Sequence, residues 1–132
     1  MPLHVELVSP ERVLFTGEAD MVIARTIGGG DIAFMPGHAP FVGALGTWTV
    51  DMKLAGGSDE IAAVHGGFIE VSNDRVSILS DVAEMASQID ADRARRAAEA
   101  AERDAMHGDD TEAQAALQRA HARLRASGHE VA

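Results

Sequence analysis

The chain has no cysteine, which excludes a disulfide framework, thiolate metal sites and a cysteine nucleophile. Aromatic residues make up only 4% of it, so any core must be built mainly from Val, Ile, Leu, Met and Ala. Positive charge is scarce as well. Against 21 Asp plus Glu stand 11 Lys plus Arg, a net charge of −10, and Lys53 is the single lysine. A chain this acidic is unsuited to nucleic acid or to an anionic membrane surface, because affinity for phosphate rests on positive charge. No apolar run reaches the roughly 20 residues of a membrane-spanning helix. The N-terminus, Met1-Pro2-Leu3-His4-Val5-Glu6, lacks the basic region and apolar stretch of a signal peptide. The expectation is a soluble protein, held at any membrane by protein contacts and without direct insertion.

What is present is enough for one core: 132 residues, 46% of them apolar. That length suits one domain, or a small domain with an appendage. The composition changes near Ser87. Residues 1–86 hold 11 of the 13 Gly, all four Pro and every aromatic, with a net charge of −8. Residues 87–132 hold 14 Ala and 7 of the 11 basic residues, with a net charge of −2. The first part reads as strands and turns, the second as helices.

Leu3, Val5 and Leu7 alternate with His4 and Glu6, the period of a half-buried strand. Further strand-like runs are Val13–Phe15, Met21–Thr26, Ile32–Met35, Leu45–Leu54, Ile61–His65, Phe68–Val71 and Val76–Leu79. Gly28-Gly29-Gly30-Asp31, Pro36-Gly37, Gly56-Gly57, Gly66-Gly67 and Asn73-Asp74 punctuate them. Many short strands with Gly-rich turns indicate an antiparallel β-sandwich or barrel. Asn73-Asp74 has the form of a tight hairpin turn. Ser87-Gln88-Ile89-Asp90 has the form of a capping box opening a helix to about Met106. After a turn at Met106–Asp110, a second helix runs from Thr111 to Ser127, with Gly128 placed to end it. So short a connection makes the pair an antiparallel αα-hairpin. Its facing stripes are Ala94, Ala97, Ala98, Ala101 and Ala105 against Ala113, Ala116, Leu117, Ala120 and Leu124. A seam of methyl groups, at about 0.8 kcal/mol per buried carbon, holds weakly. Helices of ~15 residues are marginal alone. The hairpin therefore depends on contacts elsewhere, and is expected to detach at modest cost or to stay docked because of them.

Catalytic constellations are missing. No Gly-Lys-Ser/Thr follows Gly28–Gly30, so that stretch reads as a loop between strands. There is no Gly-x-Ser-x-Gly elbow. The six histidines, at 4, 38, 65, 107, 121 and 129, show no metal-ligand spacing. His38 reads as a loop contact, His65 as a satisfied strand-end residue and Lys53 as a solvated edge-strand charge. Asp109-Asp110 reads as an exposed turn. These residues favour an interaction protein over an enzyme.

Three stretches resemble the epsilon subunit of F-type ATP synthases. They are Val8-Ser9-Pro10-Glu11-Arg12-Val13-Leu14-Phe15-Thr16-Gly17-Glu18-Ala19, then Gly30-Asp31-Ile32-Ala33-Phe34-Met35-Pro36-Gly37-His38-Ala39-Pro40, and then Gly66-Gly67-Phe68-Ile69-Glu70-Val71 with Ile78-Leu79-Ser80-Asp81-Val82-Ala83-Glu84. His107-Gly108-Asp109 resembles the family's interhelical turn, and Ala116-Leu117-Gln118-Arg119-Ala120 with Ala122-Arg123-Leu124-Arg125 its second helix. The family usually has Gly at the place of Ala33. The resemblance implies an N-terminal β-sandwich (residues 1–86) that binds the gamma subunit and the c-ring. It also implies a C-terminal hairpin (residues 87–132) that extends toward the alpha and beta subunits of the catalytic head and inhibits ATP hydrolysis. The role implied is that of a non-catalytic central-stalk rotor subunit, coupling proton flow to ATP synthesis at the cytoplasmic face of a bacterial plasma membrane. A free-standing nucleotide-binding module on the same fold is the alternative.

Residue by residue, the resemblance puts Asp31 at the c-ring face and His38 near gamma. Ile89-Asp90-Ala91-Asp92-Arg93-Ala94 resembles the I/L-D-x-x-R-A motif of members that bind ATP between sandwich and hairpin. Asp90 and Arg93 share a helix face. A carboxylate can accept from the adenine amino group and a guanidinium can pair with phosphate. Glu84, Arg119 and Arg123 join this candidate site, with ATP as a regulatory ligand and no required cofactor. The plainer alternative is that Asp90 completes the capping box with Ser87 and pairs with Arg93. Arg119, Arg123 and Arg125 likewise form either a solvated helix face or an inhibitory contact with acidic residues of the head.

Overall fold

The computed structural model describes residues 1–106 and 111–128. The expected interhelical turn at His107–Asp110 and His129 lie outside the described residues. Nine strands come first: β1 Leu3–Val8, β2 Val13–Thr26, β3 Gly30–Phe34, β4 Phe41–Ala44, β5 Thr47–Leu54, β6 Asp59–His65, β7 Phe68–Ser72, β8 Arg75–Leu79 and β9 Ala83–Met85. A short 3-10 turn, Ala86–Gln88, leads to the helices α1 Ala91–Ala105 and α2 Thr111–Ala126.

β2 joins the two layers of the sandwich. Its first half pairs with β1 from Val13 to Ala19, within the sequence of neighbours β4-β7-β8-β1-β2. Its second half pairs with β5 on one side and β3 on the other, and β6 and β9 continue that layer. The inner faces follow the period of two. Leu3, Val5 and Leu7 of β1 are fully buried, as are Val76 and Ile78 of β8 and Val50 and Met52 of β5. Phe34 is the largest fully buried side chain in this core.

Several expectations are corrected. Val13–Phe15 and Met21–Thr26 are one strand of 14 residues, because a strand shared by two layers must be continuous. The run expected at Leu45–Leu54 starts at Thr47, while Leu45 makes an isolated bridge to Thr26. Strands β4 and β9 were not foreseen. The sandwich is antiparallel except that β1 runs parallel to β8, from His4–Arg75 to Val8–Leu79. Lys53 is not on an edge strand: β5 lies between β2 and β6, and Lys53 pairs with Asp59 at 2.9 Å. The hairpin at Asn73-Asp74 is as read, with φ of 52° and 58°, the left-handed pair that a two-residue turn between twisted strands requires.

The helix does not start at Ser87. Ser87 lies in the 3-10 turn, and Asp90 is the cap of α1, accepting from the Arg93 backbone N–H at 3.1 Å. Gln88 folds back so that its Oε1 accepts from the Met85 N–H at 3.0 Å. Replacing Asp90 by Ala is expected to cost about 1 kcal/mol of helix stability, through the lost cap. Urea unfolding followed by far-ultraviolet circular dichroism would measure it. At the other end, Gly128, with φ of 88°, follows α2 and ends it as expected.

The two helices pack through Ala94, Ala98, Ala120 and Leu124, with Leu117 beside them, while Ala97 stays exposed. Of the two helices, α2 is the one that rests on β5 and β6 of the sandwich. Its Ala122 and Ala126 are buried against Ala63 of β6, with Trp48, Ile61 and Ile89 around them. Small residues on both sides let the helix lie close to the outer face of the β5–β6–β9 layer.

Candidate functional site

The outer face of that layer carries polar side chains, because the alternation that buries Val50, Met52, Ala62 and Val64 turns Thr49, Asp51, Ala63 and His65 outward. Ala63 pairs with Glu84 of β9, which brings Glu84 to the same face. The polar edge of α2 meets them. Gln118 Nε2 donates to the Thr47 carbonyl at 3.1 Å. Arg125 donates to Asp51 at 3.1 Å and to the Thr49 hydroxyl. Arg123 Nε donates to Glu84 Oε1 at 2.6 Å. The same Glu84 oxygen is 3.3 Å from His65 Nε2.

A cavity of about 280 Å³ opens where β9, the start of α1 and α2 converge. Glu84, Gln88, Asp90, Arg93, Ala94, Ala97 and Arg123 line it. Five of the seven nucleotide-site candidates, Glu84, Asp90, Arg93, Ala94 and Arg123, therefore converge there. Two do not. Ile89 turns instead into the apolar cluster between α2 and the sheet. Arg119 pairs with Glu112 at 2.7 Å, along its own helix. Gln88 and Ala97 were missed by the sequence reading. The spacing of Gln88 ahead of Asp90 could have signalled the former, had the chain before the helix been read as folded back.

The chemistry of the cavity is mixed. Asp90 has one carboxylate oxygen engaged by the helix N-terminus. Gln88 has its oxygen engaged, so its amide NH2 is the group left to donate. The Arg93 side chain makes no ion pair among the described residues. Arg123 uses Nε for Glu84, and its terminal nitrogens have no protein partner among the described residues. Two guanidinium groups, one amide and two carboxylates, of which Glu84 is already held by Arg123, fit a ligand that combines an anionic part with a hydrogen-bonding heterocycle. The cavity is close to the lower end of the usual small-ligand range, about 300–1,000 Å³.

The remaining candidates lie elsewhere. Asp31, in β3 opposite Arg25 of β2, is exposed and receives two hydrogen bonds from Arg25, at 2.9 and 3.3 Å. Arg25 in turn lies 4.3 Å from the Trp48 ring centre, with Arg125 5.5 Å from the same ring. His38 packs edge-on to Phe34, ring centres 4.9 Å apart, while its Nδ1 lies 2.7 Å from the Ala39 carbonyl. Asp74 holds this loop by accepting from the Gly37 N–H at 2.7 Å. No group of His and carboxylates suited to a metal occurs among the described residues. None of the described helices is long and apolar enough to cross a membrane.

A β-sandwich with a two-helix appendage docked over a charged cavity is the class of protein that this fold and site define. Residues 2–86 match the family model described as the ATP synthase delta/epsilon chain, beta-sandwich domain. Over 124 residues the chain is 48% identical to the ATP synthase epsilon chain of Streptomyces griseus, covering 94% of each. It is 50% identical to that of Thermobifida fusca, covering 98% of this chain and 95% of the relative. The fold is also similar to a chain in the Euglena gracilis mitochondrial ATP synthase, in a structure comprising OSCP, F1 and c-ring. The TM-score there is 0.82 at 22% identity, over 97% of this chain and 82% of that one. The chain belongs to the ATP synthase delta/epsilon family.

Proposed function

We propose that the chain is the central-stalk rotor subunit of a proton-translocating F-type ATP synthase, with a hairpin that responds to ATP and restrains ATP hydrolysis. Membership of the family supports the rotor role. The subunit then contributes no catalytic group of its own. It binds the gamma subunit and the c-ring through the sandwich, and its hairpin reaches the alpha and beta subunits. It is held peripherally at the cytoplasmic face of a bacterial plasma membrane by these contacts. Asp31, exposed near the start of β3, faces the c-ring in this reading, and His38 lies near gamma.

One observation carries the regulatory part: the cavity exists only where the folded-down hairpin meets the sandwich, since its lining comes from both. In the proposed complex, Arg93 and Arg123 pair with the phosphates and Asp90 accepts from the adenine amino group. A ligand bound to residues of both parts stabilises the docked state alone, so ATP keeps the hairpin down. The docked state also engages two of the inhibitory arginines. Arg123 is held by Glu84 and Arg125 by Asp51, both on the sandwich, while Arg119 pairs with Glu112 within α2. Extension would free Arg123 and Arg125 for acidic residues of the head.

Calorimetric titration of ATP into the isolated chain tests the site. Saturable binding is expected, weakened about tenfold or more in Arg93→Ala by loss of a charge-assisted phosphate contact. Absence of binding up to millimolar ATP would leave Asp90 as a helix cap only. Co-purification with gamma and c-ring tests the rotor assignment. A free chain that binds ATP without those partners would be a separate sensing module.

A further inference from the structure

His65 stands at the end of β6, on the face that α2 covers, and its side chain is only 5% exposed. Sequence reading took it as satisfied, but it is satisfied on one side only. Nε2 faces Glu84, while the buried Nδ1 has no hydrogen-bond partner among the described residues. Among the described residues Glu84, which also accepts from Arg123, is the one hydrogen-bond partner of Nε2. A carboxylate has no proton to donate, which places the imidazole proton on Nε2 and leaves Nδ1 as a bare acceptor. A second proton would have to sit on Nδ1, with no acceptor for it. It would also put a positive ring beside the Arg123 guanidinium, which binds the same oxygen of Glu84.

We propose that His65 is a proton-operated latch: the hairpin docks on the sandwich while His65 is neutral, and protonation of His65 drives α2 off the sheet. Every charged group around the ring bears on this. From α2, Arg123 and, more weakly, Arg119 repel the charged ring. Glu84 of β9 attracts it. From α1, Asp90 and Arg93 lie across the cavity that Glu84 lines, and carry opposite charges. Burial, then Arg123, pull the docked His65 below its ordinary pKa of 6.5, against the pull of Glu84. Lifting α2 removes the burial and both arginines together, and leaves Glu84 to favour the imidazolium.

The sign follows. The released state takes up the proton first, so docking is unaffected well above the released-state value and weakens as pH falls through it toward the docked value. Each pK unit between the two states is a tenfold change in the docking equilibrium. His121 lies 4.0 Å from Glu102, a contact between α2 and α1 that does not touch the sheet. This inference rests on the reading of the hairpin as a movable part.

Trp48 is the single tryptophan, and it packs against Ala122 and Ala126 of α2 beneath Arg125. Its emission therefore reports docking in the full chain. Ala122→Glu, which places a charge against Ala63, supplies the released signal at any pH. Between about pH 8 and 5.5 the emission of the unsubstituted chain is expected to move toward that signal, while His65→Gln stays flat. An equal movement in His65→Gln overturns the latch. So does a constant signal in the unsubstituted chain when Ala122→Glu shows release; the hairpin is then movable but not proton-operated. If Ala122→Glu matches the unsubstituted chain at every pH, the movable hairpin falls as well. Should His65→Gln fail to fold, imidazole nitrogen spectra of the unsubstituted chain decide. His65 is expected as the Nε2–H tautomer titrating below the ordinary histidine value, and titration at or above that value overturns the proposal.

Discussion

Ending the chain after Ala86 is expected to leave a folded sandwich that no longer binds ATP, and to raise ATP hydrolysis by the assembled synthase several-fold with coupling retained. The main core, from Leu3 to Met85, lies wholly within the retained residues. What the deletion uncovers is a small patch, chiefly Trp48, Ile61 and Ala63, set among the polar Thr49, Asp51, His65 and Glu84. Such a surface is mixed enough to remain in water. Ligand binding is lost because Asp90, Arg93 and Arg123 leave with the hairpin, and Glu84 alone cannot hold an anion. Hydrolysis rises because the arginines that would reach the head are gone. Membrane vesicles carrying the truncated subunit would be assayed for ATP hydrolysis and for ATP-driven proton pumping. An unchanged hydrolysis rate would remove the inhibitory role; lost pumping would show that the hairpin is needed for coupling.

Gly67→Ala should be severe in a different way, costing about 3 kcal/mol or more and leaving little folded protein. Gly67 has φ of +119°, a conformation that L side chains rarely adopt. A methyl there would also lie 2.0 Å from the Leu79 carbonyl oxygen and 2.9 Å from the Ser80 Cα. Neither can give way. The Leu79–Ser80 backbone is tied to β1 by the Ser80 N–H to the Val8 carbonyl at 3.0 Å, and the Ser80 hydroxyl holds the Gly66 carbonyl at 2.7 Å. The Gly67 carbonyl itself accepts from the Leu45 N–H at 2.8 Å. Soluble yield and urea midpoint would report the effect. Gly56→Ala, with open space around it and ordinary φ, is the control expected to behave like the unsubstituted chain.

The legible and illegible parts of the fold divide by range. Strands β1, β7 and β8 show in their own residues, since alternation of apolar and polar positions needs no partner to be visible, and β6 shows as the short apolar run Ile61-Ala62-Ala63-Val64. β4 does not, because Phe41-Val42-Gly43-Ala44 has no alternation and becomes a strand by pairing with β7. β9 is three residues long and exists through β6. The continuity of β2 through Gly17-Glu18-Ala19-Asp20 depends on both layers holding it. The parallel β1–β8 pair joins residues some 70 positions apart in the chain, beyond the reach of any local pattern.

The site divides in the same way. Asp90 and Arg93 are neighbours on one helix turn, so their association could be read from spacing, and the order of residues resembling a known family pointed to Glu84 and Arg123. The sequence by itself determined the two-part composition, the strand-rich half, the helical half and the family. Tertiary structure alone decided that Asp90 rather than Ser87 caps α1, that Ile89 and Arg119 turn away from the cavity, and that Gln88 enters it. It also decided that His65 meets Glu84 and Arg123 under α2. The reason is physical. Periodicity records which face of an element avoids water, whereas a cap, a cavity or a shared carboxylate depends on which distant backbone arrives opposite, and that is set by the packing of the whole chain.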